Sequence, residues 1–442
     1  MRASRRARLV EHVRVPLHRD GYALAANSAF TAVAGLVYWV VAARRYGAHD
    51  VGVNAALISS MMFLAGIAGL NLTNVVVRFL PEAGTRTARL AALSYATACG
   101  AALAVAFVFV VGVGEWAPSL DFLRDDRLIG AWFVLSTLGW AVFAIQDSVL
   151  TALGRAVWVP IENAVFSLLK LALLAVFATL LPVYGIFVSW TGAMLVSVAG
   201  VNFLVFTLLM RRTPARPARA TTLRSRAFAR YFAADYACSV AWLSASNLMP
   251  LVVTAVAGAT ANAFYALAWA VSLPLYGFAA NIGMSLVLHG SREPESLPAL
   301  ERKAALQGAR VLGPTVLGVV VLAPLVLSLF GGDYPEQGST LLRLLALGAV
   351  PYFVLTLLLS VARIERRFRL AVAAWAAQAV LALGLAVPLI DSLGVTGAGV
   401  AWLASGCSVA TAVLVVRARR GRVSRGIGAH ASPLAASAPP PR

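Results

Sequence analysis

The chain has 442 residues, 60% hydrophobic and 12% charged, and a water-soluble protein of that length has nowhere to hide so much apolar surface; the class is a polytopic membrane protein. A net charge of +19 would suggest nucleic acid in a soluble protein, but of the 37 basic residues only Lys170 and Lys303 are lysines, and the arginines cluster between apolar runs. That is the footprint of membrane topology and anionic lipid, and it argues against a nucleic-acid partner.

In chain order, residues 1–20 carry six arginines and read as a basic cytoplasmic lead. A cleavable signal is not expected, since the apolar run that follows is too long and no small-residue cleavage site is evident. Twelve apolar segments of about twenty residues or more then follow, each long enough to cross a bilayer. Their limits are 21–43, 51–77, 90–114, 128–152, 156–181, 184–210, 231–257, 261–289, 306–330, 340–362, 369–390 and 395–416. With both termini cytoplasmic, 31 of the 37 Lys and Arg fall on the cytoplasmic side, five fall outside, and Lys170 lies within a span. This asymmetry supports an even number of spans.

The basic stretch RRTPARPARATTLRSRAFAR, with seven arginines, divides the spans six and six. GYALAANSAF opens the first half and RYFAADYACS the second, and GAHDVGVNAAL is echoed by GATANAFYALA at the matching place. The expected fold is therefore all-α, with two pseudo-symmetric six-helix lobes around a central cavity. The lobes take residues 21–210 and 231–417, the linker 211–230, and residues 418–442, ending in APPPR, read as a disordered cytoplasmic tail.

Charge inside the spans marks the candidate site, because an ionisable group at bilayer depth needs a partner, water or a ligand. QDSVLTALGRAVWVPIENAVFSLLK places Asp147, Glu162 and Lys170 around a turn at Gly154 and Arg155. Asp147 and Glu162 either stitch two helix ends together through Arg155 or load a coupling ion. Lys170 lies about 14 residues into its span, roughly 20 Å deep and too far to snorkel; it either attracts an anionic group or pairs with Glu162. Asp235 is a third candidate for ion coupling, against simple pairing with nearby arginines. Arg343 reads as an interface anchor or a second phosphate contact.

Polar stripes run along four spans at helical spacing: Asn27, Thr31 and Tyr38; Ser136, Trp140, Asp147 and Thr151; Asn163, Ser167 and Lys170; Asp235, Ser239, Trp242 and Ser246. They either glue helices together or converge on a cavity, where Lys170, Asn163, Asn27, Trp242 and Arg343 would contact substrate. The three cysteines read as free buried thiols. No Cys and His spacing suggests a metal, and no Gly-rich loop after a strand suggests a nucleotide, so neither cofactor nor metal is expected.

At YWVVAARRYGAHDVGVNAALISSMMFLAGIAGLNLTNVVVRFLPEAG, with its Arg-Phe-Leu-Pro motif at Arg78 to Pro81, the chain resembles the polysaccharide and O-antigen flippase-like proteins of the multidrug, oligosaccharidyl-lipid and polysaccharide exporter superfamily. IQDSVLTALGRAVWVPIENAVFSLLK and NAFYALAWAVSLPLY extend that resemblance over nearly all of residues 20–417. It implies a non-enzymatic transporter in a bacterial-type plasma membrane. By alternating access it would move a polyprenyl-pyrophosphate-linked oligosaccharide to the outer leaflet, served by glycosyltransferases and a polysaccharide polymerase, with cationic cavity residues holding the pyrophosphate. Asn27 stands where the drug-extrusion branch commonly has an acid in the first helix, and His289 stands where an acid would be expected. Two rivals remain. One is a twelve-helix secondary transporter of a drug or small solute, although RFLPEAGTRTAR lacks that class's usual loop motif. The other is a membrane glycosyltransferase using Asp125 and Asp126.

Overall fold

The computed structural model describes residues 16–209 and 226–430. Twelve long helices follow one another: α1 (Pro16–Arg45), α2 (Ala48–Ala68), α3 (Thr87–Val111), α4 (Arg127–Ala152), α5 (Trp158–Leu180), α6 (Gly185–Leu204), α7 (Arg226–Ala257), α8 (Ala259–Gly290), α9 (Leu297–Ser328), α10 (Tyr334–Ile364), α11 (Phe368–Leu393) and α12 (Thr396–His430). Among the described residues there is no strand, and eleven helices, α2 to α12, are long and apolar enough to cross a membrane. Helix is the form these runs must take, because hydrocarbon offers backbone groups no partner outside their own segment. Phe107, Leu317, Val321 and Leu325 stand more than 60% exposed on the bundle's outside, a surface suited to lipid and not to water.

Helix ends follow local chemistry. Asp126 caps α4, its Oδ1 accepting from the backbone N–H of Leu128 at 2.9 Å and of Ile129 at 3.3 Å. That removes half of the acidic pair on which the glycosyltransferase reading relied. The α4–α5 turn passes through Gly154 at φ +72°, a conformation that glycine adopts without steric cost.

Several boundaries differ from expectation; α9, for one, begins at Leu297, nine residues before the expected 306. The second span was expected unbroken over 51–77, but α2 stops at Ala68; Leu70 and Asn71 turn left-handed at φ +46° and +57°, and a short helix, Leu72–Phe79, follows. Helix α1 starts at Pro16, inside the expected lead, and α12 continues to His430, well into the stretch from 418 expected to be disordered. Most of the basic linker, with residues 1–15 and 431–442, lies outside the described residues.

Packing repeats between the halves. Helix α1 packs on α5, α2 and α3 on α4, and α6 on both α4 and α5; in the second half α7 packs on α11, α8 and α9 on α10, and α12 on both α10 and α11. Each lobe is therefore the same six-helix unit. Between the lobes α2 lies against α7 and α8. At the end where α1 turns into α2, the far end, a Cβ on Gly52 would sit 1.7 Å from the Ala259 carbonyl oxygen, so only glycine permits this approach of α2 and α8. There the Asn262 amide donates to the Gly52 carbonyl at 2.8 Å, and Arg44 Nε donates to the Leu329 carbonyl at 2.8 Å. At the opposite, linker end, Tyr236 donates to the Ile67 carbonyl at 2.7 Å.

Candidate functional site

The charges singled out on α4 and α5 come together inside the first lobe. Gln146 Nε2 donates to Glu162 Oε1, which Ser197 Oγ also approaches at 3.3 Å, and Asn202 Nδ2 donates to Gln146 Oε1 at 3.3 Å. The half-buried Asp147 carboxyl adjoins those of Glu162 and the Asn163 amide. Asp147 Oδ1 and Glu162 Oε2 are buried without a hydrogen-bond partner. Arg155, which was to stitch these groups together, is exposed. Among the described residues no basic side chain forms an ion pair with either carboxyl. A buried cluster in this condition is short of one donor.

Lys170 stands two turns further along α5, 3% exposed. Its Nζ lies 4.2 Å from the ring centroid of Trp190 on α6, 5.0 Å from that of Phe166 and 5.2 Å from that of Tyr38 on α1. Tyr38 is itself fixed, donating to the Ile186 carbonyl at 2.7 Å with Ser189 Oγ at 2.8 Å. Ring faces attract a cation, by about 2 kcal/mol or more where water is excluded. The alternative reading, a pair with Glu162, is not formed, and among the described residues Lys170 has no carboxylate partner.

The stripes do not all meet in one place. Asp235, Ser239 and Trp242 of the α7 stripe, but not Ser246, line a separate cavity of about 490 Å³ at the junction of the lobes, bounded also by Tyr352, Trp375, Arg363 and Asn74 among others, and Lys170 is not one of them. Asp235 Oδ1 lies 3.5 Å from Arg363 NH1, while its Oδ2 accepts from Asn74 at 3.0 Å and Asn71 at 3.3 Å, across the lobe boundary. Pairing with an arginine was one expectation for Asp235; the bridge to the other lobe was not foreseen. Arg343 is half-buried and donates to the Val320 carbonyl at 3.1 Å, tying α10 to α9 away from both sites. Asn27 lies outside the residues whose side chains are described. All three cysteines are free as expected, but only Cys238 is buried. No group of His, Cys, Asp and Glu able to hold a metal occurs among the described residues.

Sequence reasoning missed Ser197, Asn202 and Trp190 on α6, and Tyr352, Arg363 and Trp375 in the second lobe. GAMLVSVAGVN carries Ser197 and Asn202 five residues apart, about 140° around the helix axis, so they form no same-face stripe of the kind read on α4 and α5. Arg363 sits at the end of an apolar run, where an arginine reads as an interface anchor.

Two six-helix lobes, each repeating the other's packing and joined across a polar seam, define the architecture of a multi-pass membrane protein. The chain resembles an inward-facing multidrug resistance MATE family transporter of the MOP superfamily, with TM-score 0.65 and 16% identity over 89% of this chain and 95% of that one. It resembles the lipid II flippase MurJ in an inward closed conformation, with TM-score 0.69 and 12% identity over 89% of this chain and 86% of that one. Against an outward-facing MATE family transporter the TM-score is 0.54, at 15% identity over 90% and 96% of the two chains. No protein-family model and no curated protein matches the chain. The fold is thus shared by drug transporters and a lipid flippase.

Proposed function

We propose that this protein flips a lipid-linked oligosaccharide with a pyrophosphate linkage across a bacterial-type plasma membrane, by rocking its lobes about the shared seam. The observation that carries the reading is Lys170, 3% exposed, against three aromatic faces and with no carboxylate partner among the described residues. Removing an ammonium from water costs several kcal/mol, and ring faces return only part of it. A visiting phosphate would supply the remainder. The rings of Tyr38, Phe166 and Trp190 hold the ammonium in place within the first lobe; the headgroup would reach it where those rings part, while the polyprenyl tail stays in lipid.

The carboxyls of Asp147 and Glu162 fit the role of the coupling site. Two adjoining acids with no cation beside them are satisfied by one shared proton, and loading or releasing it would bias the lobes. In this reading both termini are cytoplasmic, anionic lipids surround the arginines, glycosyltransferases supply the substrate and a polymerase consumes it. Export of an organic cation is the rival, and Asp235 in the cavity is what favours it. That carboxylate already faces Arg363 and two amides, so a cationic drug would have to displace them.

The test is export of surface polysaccharide in cells that depend on this gene. Lys170→Met, of similar volume and no charge, is expected to lower export at least tenfold at unchanged protein level, and Lys170→Arg to retain a measurable part. Full export by Lys170→Met would remove the anion site from the mechanism.

A further inference from the structure

The cavity beside α7 has no assigned ligand, and its lining narrows the choice. At its depth stand Trp242, Tyr352 and Trp375, with ring centroids 4.8, 5.5 and 5.9 Å apart and interplanar angles of 46°, 56° and 74°. None is stacked on another, all three line the cavity, and Trp242 and Tyr352 are only partly buried. A second layer holds the trio rigid: Trp402 Nε1 donates to Tyr276 Oη at 2.8 Å, and that hydroxyl donates to the Leu345 carbonyl at 2.6 Å. Both rings adjoin Trp242, at 5.9 and 6.1 Å.

Charge decides against ionic ligands. Among the described residues that line the cavity, Asp235 and Arg363 are the only charged side chains, and they face each other at 3.5 Å. A cation would have to compete with Arg363 and an anion with Asp235, so neither recovers the cost of its desolvation. A purely apolar ligand fails for another reason. Among the described residues neither the Trp242 nor the Trp375 indole N–H has an acceptor, and an apolar occupant would leave both donors unmet. What remains is a neutral molecule with C–H faces for the rings and oxygens for the donors, and a sugar ring has both: its axial C–H groups point their positive ends at the negative ring face. About 490 Å³ lies within the range of pockets that enclose small ligands.

We propose that this cavity is a sugar-binding subsite that takes one or two neutral sugar rings. The proposal deepens the transport reading by naming the part of the cargo that the second lobe holds, and rests on it only for that placement. Because Asn74 of the first lobe bonds to Asp235 at the rim, occupancy also bears on whether the lobes are closed at the linker end.

The experiment is saturation-transfer NMR on the full chain purified in detergent. Probes are the methyl glycosides of glucose, galactose, mannose, N-acetylglucosamine and rhamnose, together with free oligosaccharides released by mild acid from the host's lipid-linked pool. Tetraphenylphosphonium and inorganic pyrophosphate serve as the charged comparisons. Transfer to the ring protons of at least one sugar is expected. It should be lost in Trp242→Leu and weakened at least fivefold in Trp242→Phe, which keeps an aromatic core and removes the donor. It should survive in Lys170→Met, and neither charged probe should displace the sugar. No transfer to any sugar, transfer unchanged in both Trp242 variants, or displacement by the phosphonium would each overturn the proposal. Sugar binding that persists while Lys170→Met exports normally leaves the subsite standing and sinks the transport reading; lost export with no sugar transfer does the reverse.

Discussion

Lys170 is a residue whose cost and use can be separated. Its ammonium is buried among Tyr38, Phe166 and Trp190, and a methionine there would keep the volume, keep contact with the rings through its sulfur, and lose the desolvation penalty. If the lysine serves the cargo and not the fold, Lys170→Met should melt at or above the wild-type temperature in detergent while export falls. A Tm several degrees lower would instead mark a structural lysine. Asp126 makes the opposite case. Its carboxylate caps two backbone N–H groups at the start of α4, so Asp126→Ala should cost about 1 kcal/mol of stability and leave transport per folded molecule unchanged. Loss of activity beyond the loss of folded protein would restore the acidic loop as a chemical site. The sequence showed that Lys170 and Glu162 carry the strain of burial, because charge within an apolar run is conspicuous. It did not show their partners: Trp190, Ser197 and Asn202 come from α6, and a pairing across helices depends on rotation about each axis, which polar residues on a single strand of sequence leave undetermined.

At the scale of elements the twelve expected spans correspond to α1 through α12 within a few residues at most ends, since the length of an apolar run is set by the hydrocarbon it must cross. The second span shows where that rule stops. Hydropathy continues from Val51 to Val77, yet the helix breaks at Leu70 and Asn71. Asn71 offered a signal, as asparagine adopts the left-handed region more readily than most residues, but nothing in the run required it to do so. The break turns Asn71 and Asn74 toward Asp235 of α7 and so builds the bridge between lobes at the linker end. Replacing both asparagines by alanine removes its two amide donors. Cys238 lines the cavity behind that bridge and is 3% exposed, so it reports the change directly. With Cys99 and Cys407 replaced by alanine, Cys238 in Asn71→Ala/Asn74→Ala should react with a soluble maleimide at least fivefold faster than in the two-cysteine-free parent. Equal rates would mean that the asparagines do not hold the lobes together.

For the whole molecule the two ends of the seam oppose each other. At the linker end the described contacts are hydrogen bonds given by side chains, Asn71 and Asn74 to Asp235 and Tyr236 to the Ile67 carbonyl. At the far end backbones touch, Gly52 against Ala259, with Asn262 and Arg44 bonding to carbonyls of the other lobe or of α2. Side-chain hydrogen bonds each contribute about 1 kcal/mol net, whereas a close backbone contact is all or nothing, so the far end is the firmer closure. A change confined to Gly52 should therefore reverse that imbalance. Even the single methyl of Gly52→Ala would meet the Ala259 oxygen at 1.7 Å, and the lobes can relieve the clash by parting at that end. Cysteines at Arg44 and Leu329, whose side chain and carbonyl meet at 2.8 Å, report the separation. In an otherwise cysteine-free chain they should crosslink readily with glycine at position 52 and several-fold more slowly with alanine, while the linker end becomes less accessible. A shift of that size needs only about 1 kcal/mol between the two arrangements, and moving from nearly all closed to nearly all open would need about 5.5 kcal/mol. Undiminished crosslinking in Gly52→Ala, in a protein that still folds, would mean that the two helices yield locally and that the seam does not pivot on this contact.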